Sequence, residues 1–412
     1  MTQIQNELWF LWRDRAAKVW LVIACLAASI AVVFGLNEIN AQRATIERLI
    51  EADQTERAIV SEQHSDWGSA AYYTFHLTYD APEDFAFAAL GQRDTSPWKH
   101  RIRMLALEGQ IYETDAANPE FALIGRFDFA FVAAMIAPLI LIMVLHDLRA
   151  GERTHGRYNL LTATSADANR LWFFRALLRV GTLAIALMLP LWIGGLLSGA
   201  SLASLIWASL AVLAHLIFWW AVIAFINSRL WSSTTNLTAL IGLWLALAVV
   251  TPAAIKWGVD AAIPLPDGGD IILTQREAVN DAWDLPKEAT MTPFLERHPD
   301  LAPHAQINAT FEWKWYYAFQ QVGDQTAEPL SRAYRMGRER RDAVAGLLAW
   351  LSPPAKLERT LQGLAGTDTD AALEYEDQVR AFHAELRAFY YPPMFQGQPF
   401  TDATLSERPN FP

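Results

Sequence analysis

Runs free of Lys, Arg, Asp and Glu alternate along this chain with densely charged blocks. The uncharged runs cover Val19 to Leu36, Phe129 to Leu145, Val180 to Ser228 and Leu230 to Ile255. About 20 consecutive apolar residues carry an α-helix across the hydrocarbon of a bilayer. Three of the runs are near the length of one span, and Val180 to Ser228 is long enough for two. In its middle, Ser198-Gly-Ala-Ser-Leu-Ala-Ser204 supplies the small residues at which a helical hairpin reverses. The pattern predicts five spans, at 19–36, 127–146, 180–198, 204–226 and 230–256. Pro138, Pro190 and Pro252 fall within or near the ends of the second, third and fifth. Each removes a helix hydrogen bond and so predicts a kink, either for gating or tolerated in packing. A Trp-rich segment precedes the first run and no small-x-small site stands before Asn37-Glu38, so this run reads as a retained anchor.

Two long polar blocks lie between and after the spans. The first, 37–126, opens with Gln42-Arg-Ala-Thr-Ile-Glu-Arg-Leu-Ile50, where Ile46, Leu49 and Ile50 recur at helical spacing. The first span is therefore expected to continue as a helix beyond the bilayer. Tyr72-Tyr-Thr-Phe-His-Leu-Thr-Tyr79 alternates weakly, as a strand does. The second block, 257–412, starts with the linker Pro264-Leu-Pro-Asp-Gly-Gly269 and then reads as mostly helical, including Thr310 to Gln321, Arg332 to Trp350 and Tyr375 to Tyr391. Ala343 to Leu351 is apolar but too short to span, which predicts a helix buried in this block or lying on the membrane surface. The fold class is thus an all-α polytopic membrane protein with α or mixed domains outside the membrane.

Charge sets the orientation. Arg13, Arg15, Lys18, Arg149, Arg153, Arg157, Arg170, Arg175, Arg179 and Arg229 all fall on one side of the predicted spans. Cytoplasmic loops retain Lys and Arg, so that side, with the N-terminus, is expected to be cytoplasmic. Residues 37–126 hold 8 basic and 15 acidic side chains, and 256–412 hold 15 and 23, so the opposite side is strongly acidic. No basic face is large enough for many phosphate contacts, which excludes nucleic acid as a partner. The one cysteine, Cys25, lies inside the first span and reads as a small buried hydrophobe.

The chain carries no recognisable catalytic chemistry. No Lys follows a Gly, so the phosphate-cradling loop of P-loop ATPases is absent, as are HExxH and GxSxG. His298 and His304 read as solvated loop histidines. Polar groups in spans are functional candidates because lipid burial is costly. His215 in the fourth span and Asp128 at the mouth of the second are therefore candidates for a translocation path, with interhelical packing as the alternative. Arg126 beside Asp128 reads as an interfacial partner.

The stretch between the second and third spans carries the most information. Asp147, Arg149, Glu152 and Arg153 fall within two helical turns, Gly156 permits a break, and the apolar pair Leu160-Leu161 follows. The spacing alone fits either a solvated loop or a docking piece. The order Gly151-Glu152-Arg153-x-x-Gly156-x-x-x-Leu160-Leu161 resembles the GERxxGTLxLLL signature of ABC-2 type permeases, which also stands between their second and third spans. Arg157 replaces the usual Thr. Phe127-Asp-Phe-Ala-Phe131, and Ser352-Pro-Pro-Ala-Lys-Leu to Leu364-Ala-Gly-Thr-Asp368, resemble a subgroup with long extracytoplasmic inserts and the type V exporter-like fold.

The resemblance implies a bacterial inner-membrane permease subunit without an ATPase of its own. In that family an amphipathic N-terminal helix lies along the inner membrane surface, and Ile4, Leu8, Trp9, Leu11 and Trp12 within residues 1–18 fit one. The segment 147–179 would be the coupling loop, with Arg149, Gly151, Glu152, Arg153, Gly156, Leu160 and Leu161 contacting a separate cytoplasmic ABC ATPase dimer. That ATPase would bind the ATP and Mg; this chain would hold no cofactor or metal. The implied partners are a second permease copy, membrane lipid, and a periplasmic or outer-membrane protein, with export the expected direction. The family has six spans against five here, and the closing Arg408-Pro-Asn-Phe-Pro412 reads like an entry into another. The alternative is a membrane-anchored sensor or scaffold whose polar domains bind a ligand.

Overall fold

The computed structural model describes residues 3–112, 127–164, 168–229, 231–401, 405 and 407–412. A short helix, α1 (Gln3–Arg13), opens the chain. The Asp14 carboxylate then accepts the Ala17 N–H at 3.1 Å and caps α2 (Arg15–Gln63). With 49 residues α2 is about 74 Å long at 1.5 Å per residue. The extension predicted from Ile46, Leu49 and Ile50 is therefore part of one unbroken helix. There follow α3 (Trp67–Tyr73), β1 (His76–Tyr79), β2 (Lys99–Ile102) and α4 (Glu108–Tyr112). β1 and β2 pair antiparallel with His76 opposite Ile102, which places the predicted strand in the second half of its window.

The second span is built from α5 (Phe129–Phe131), a π-helical turn (Val132–Ile136) and α6 (Ala137–Leu145). Two short helices follow, α7 (Ala150–Thr154) and α8 (Tyr158–Thr164). α9 (Ala168–Ser198) and α10 (Leu202–Asn227) form the predicted hairpin, with Gly199 at φ 84° and the Ser201 hydroxyl capping α10. The fifth span joins α11 (Ser233–Leu245), a second π-helical turn (Ala246–Val250) and α12 (Thr251–Ala262). Among the described residues, five helices are thus long and apolar enough to cross a membrane. Two outrun their predicted limits. The segment 147–179 was expected to be loop, yet α9 is helical from Ala168, because Arg175 and Arg179, one turn apart, both find carboxylates. α12 runs past Lys256 because Lys256 pairs with Asp260 along the helix.

Pro138 and Pro252 each follow a π-helical turn, whose extra residue gives room for the proline ring. Pro190 lies inside the continuous α9. Pro138 lacks the N–H that a regular helix aims at the Ala134 carbonyl, and the His215 ring stands 3.2 Å from that oxygen instead. Trp244 likewise donates its indole N–H to the Met135 carbonyl at 3.1 Å.

The remaining helices are α13 (Gly268–Asp281), α14 (Lys287–Arg297), α15 (Trp313–Leu348), α16 (Pro353–Ala365) and α17 (Thr369–Gln396). The blocks 37–126 and 257–412, expected as separate domains, share one core: Trp67, Ile102, Met104 and Ile111 pack with Phe294, Tyr317, Phe319 and Tyr390. Ion pairs fix the same junction. Asp324 of α15 accepts the Leu107 N–H at 2.7 Å and holds Arg387, and Arg380 of α17 meets Glu108 at 3.0 Å. His298 is drawn into this core, half-buried against Phe294 and hydrogen-bonded to Gln321 at 3.1 Å, rather than solvated as expected. Phe411 packs on Tyr79, Tyr375 and Phe382, so the closing residues, read as an entry to a further span, lie on this domain. The apolar stretch at and just past the end of α15 is not buried there: Leu347 and Trp350 are 74% and 71% exposed, which removes the first of its two predicted placements.

Two pieces of the polar domain close one end of the bundle. Leu357, Leu361 and Ala365 of α16 join the bundle core, and the Ser352 hydroxyl donates to the Leu247 carbonyl at 2.6 Å. The buried segment Phe85 to Leu90 also enters that core. It passes so close to α2 that a methyl group at Gly35 would stand 1.9 Å from the Phe87 carbonyl oxygen.

Candidate functional site

The motif residues gather at the opposite end of the bundle, where α1, α6, α7 and α9 enclose a cleft of about 620 Å³. α7 starts one turn beyond the second span. Gly156, at φ 69°, then reverses the chain, a conformation that costs little without a Cβ. Arg157 donates its N–H to the Glu152 carbonyl at 2.9 Å, closing the turn that leads into α8. The predicted break at Gly156 is present, between two helices rather than in a loop.

Glu152 is the hub. One carboxylate oxygen accepts from Arg157 at 2.7 Å and the other from Arg175 of α9 at 3.3 Å. Arg175 also binds Glu7 of α1 at 2.8 and 3.2 Å, and Glu7 is only 6% exposed. One turn further along α9, Arg179 meets Asp14 at 2.8 Å, at the bend between α1 and α2. A chain of alternating charge therefore ties the α7–α8 piece to the third span and to the N-terminal helix. Arg153 adds a further tie, donating to the Trp231 carbonyl at 2.6 Å in the turn before the fifth span. Such pairs have short, charge-assisted bonds and position their elements strongly.

α8 has no buried residue, and Leu160 is 64% exposed with Leu161 half-buried beside it. An apolar side chain held out on a short helix, on a base fixed by ion pairs, has the form of a docking surface. Gly151 lies beside the Asp147 carboxylate at the base of α7. Arg149 points elsewhere: its guanidinium lies 5.8 Å from the Trp172 ring, on the other flank of the segment. α1 has the expected amphipathic form. Leu8, Trp9 and Trp12 are exposed, Leu11 is buried, and the Ile4 side chain lies outside the described residues.

His215 and Asp128 are not part of this cluster. The His215 ring is buried and its Nε2 donates to the Ala134 carbonyl, since a carbonyl only accepts. Asp128 caps α5 through the Phe131 N–H at 2.8 Å and accepts the Leu90 N–H at 2.9 Å, holding the inserted Phe85–Leu90 segment. Both thus hold neighbouring elements together through backbone hydrogen bonds. Arg126 lies outside the described residues. Sequence reasoning missed Glu7, Asp14, Arg175 and Arg179; Glu7 pairs with a residue 168 positions away, which no local pattern reveals. Among the described residues no group of His, Cys, Asp and Glu has the arrangement of a metal site.

Residues 271–412, from α13 through the closing segment, match a family described as a domain of unknown function, DUF3526. The comparisons with curated proteins and with solved structures found no match.

Proposed function

We propose that this chain is the membrane-spanning subunit of an ATP-binding-cassette exporter in a bacterial inner membrane, with its N-terminus cytoplasmic. A separate ATPase dimer, which binds the ATP and Mg, docks on α7 and α8. The observation that carries this reading is the Glu152 junction, where one carboxylate joins the exposed α8 base to Arg175 and through it to Glu7. Force applied at Leu160 and Leu161 then reaches α1 and the third span without passing through a flexible link. Gly151, Glu152, Arg153 and Gly156 build the docking piece. The acidic polar domain, on the far side, receives the cargo or hands force to an envelope partner, and a second permease copy completes the assembly.

Deleting Glu152 to Leu161 is expected to abolish co-purification of the ATPase while the chain still inserts in the membrane. Persistence of the complex after that deletion rejects the docking assignment and favours a membrane-anchored sensor.

A further inference from the structure

A second cleft, of about 310 Å³, lies on the other flank of the same end of the bundle, between the second, third and fourth spans. Its lining includes Arg149, Trp172, Phe173, Trp220, Ala224 and Asn227, and contains no carboxylate. Arg149 is half-buried, and among the described residues its partner is the Trp172 ring rather than an acid. Trp172 is itself buried, and its indole N–H finds no acceptor among the described residues. A charged donor without an acidic partner therefore stands at the wall of one concave site, backed by the Trp172 ring. Apart from Asn169 and Asn227 the rest of the lining is apolar, with Phe173 and Ala224 exposed. The site's depth is fixed by its neighbours: Arg149 stands just past the second span, and Asn227 ends the fourth. That is the level of lipid phosphates, and basic pockets between spanning helices bind acidic headgroups there.

We infer that this cleft is a binding site for an anionic phospholipid, its phosphate received by Arg149 and an acyl chain lying along Phe173, Trp220 and Ala224. The missing carboxylate sets the selectivity, because a choline or ethanolamine ammonium finds no counter-charge in the lining. The inference needs only that the chain spans a membrane, and it survives or fails independently of the transporter reading.

The test is native mass spectrometry of the full chain in a nonionic detergent, titrated with dioleoyl phosphatidylglycerol or dioleoyl phosphatidylcholine. The wild type is expected to bind phosphatidylglycerol at least about tenfold more tightly, a difference of about 1.4 kcal/mol. Arg149→Gln removes the charge and Ala224→Phe fills the cleft from the lipid side; each is expected to erase the preference, while Arg149→Lys keeps most of it. Equal binding of the two lipids by the wild type overturns the inference, as does an unchanged preference in either variant that melts like the wild type. Displacement of phosphatidylglycerol by an equal concentration of glycerol phosphate also overturns it, in favour of a soluble phosphate ligand.

Discussion

At the scale of single residues, the protein places charged groups where each has a defined partner. Arg175 is shared between Glu7 and Glu152, and neither Arg175 nor Glu7 is well exposed. Removing one partner of a buried pair leaves an uncompensated charge, so Arg175→Ala is expected to lower stability by about 3 kcal/mol. Pairing it with Glu7→Gln should return part of that loss, which melting of the detergent-solubilised protein will measure. Glu358, half-buried on α16, has the opposite character: burial first, and then the Asp128 charge, push its carboxyl up to about 7 from an ordinary 4.5. The folded state therefore holds a proton that the unfolded state releases between those values, and stability falls as pH rises through that window. Glu358→Gln is accordingly expected to be more stable than the wild type at pH 8 and equal to it at pH 4; the same difference in melting temperature at both pH values would reject this. Glu152 was legible from its motif, but its partners were not. Contacts such as Arg175 to Glu7 follow from how spans pack, and hydropathy carries no information about which faces meet.

At the scale of elements, the spans were readable because missing charge over about 20 residues has one physical meaning. Their ends were less so, because charge stops an apolar run but not a helix when the charge is paired, as at Arg175, Arg179 and Lys256. The unity of the polar domain was hidden for a similar reason. Aromatic residues in both blocks fit a core equally well whether it is shared or separate, and only long-range contacts such as Glu108 to Arg380, 272 positions apart, decide it. The inserted Phe85–Leu90 segment gives an element-scale prediction. Gly35→Ala forces backbone apart at a contact with no flexible side chain to yield, and overpacking of this kind costs about 2 kcal/mol. The variant is expected to melt earlier and to expose the interface between α2 and Phe87 to proteolysis.

At the scale of the whole molecule, the basic α7–α8 end and the acidic domain occupy opposite ends of the bundle. In a Cys25→Ser background, a membrane-impermeant maleimide on intact spheroplasts is expected to label Arg332→Cys in the polar domain and to spare Asn159→Cys on α8. Lysis should make both reactive, and the reverse pattern would invert the orientation. The unbroken α2 has a mechanical consequence for this arrangement. A rod has no joint at which a rotation can be absorbed, so a tilt of about 5° at its membrane-embedded foot swings its far tip by about 6 Å. Because Asp14 ties that foot to Arg179, the proposed assembly would turn a nudge at one surface of the membrane into a sweep at the other.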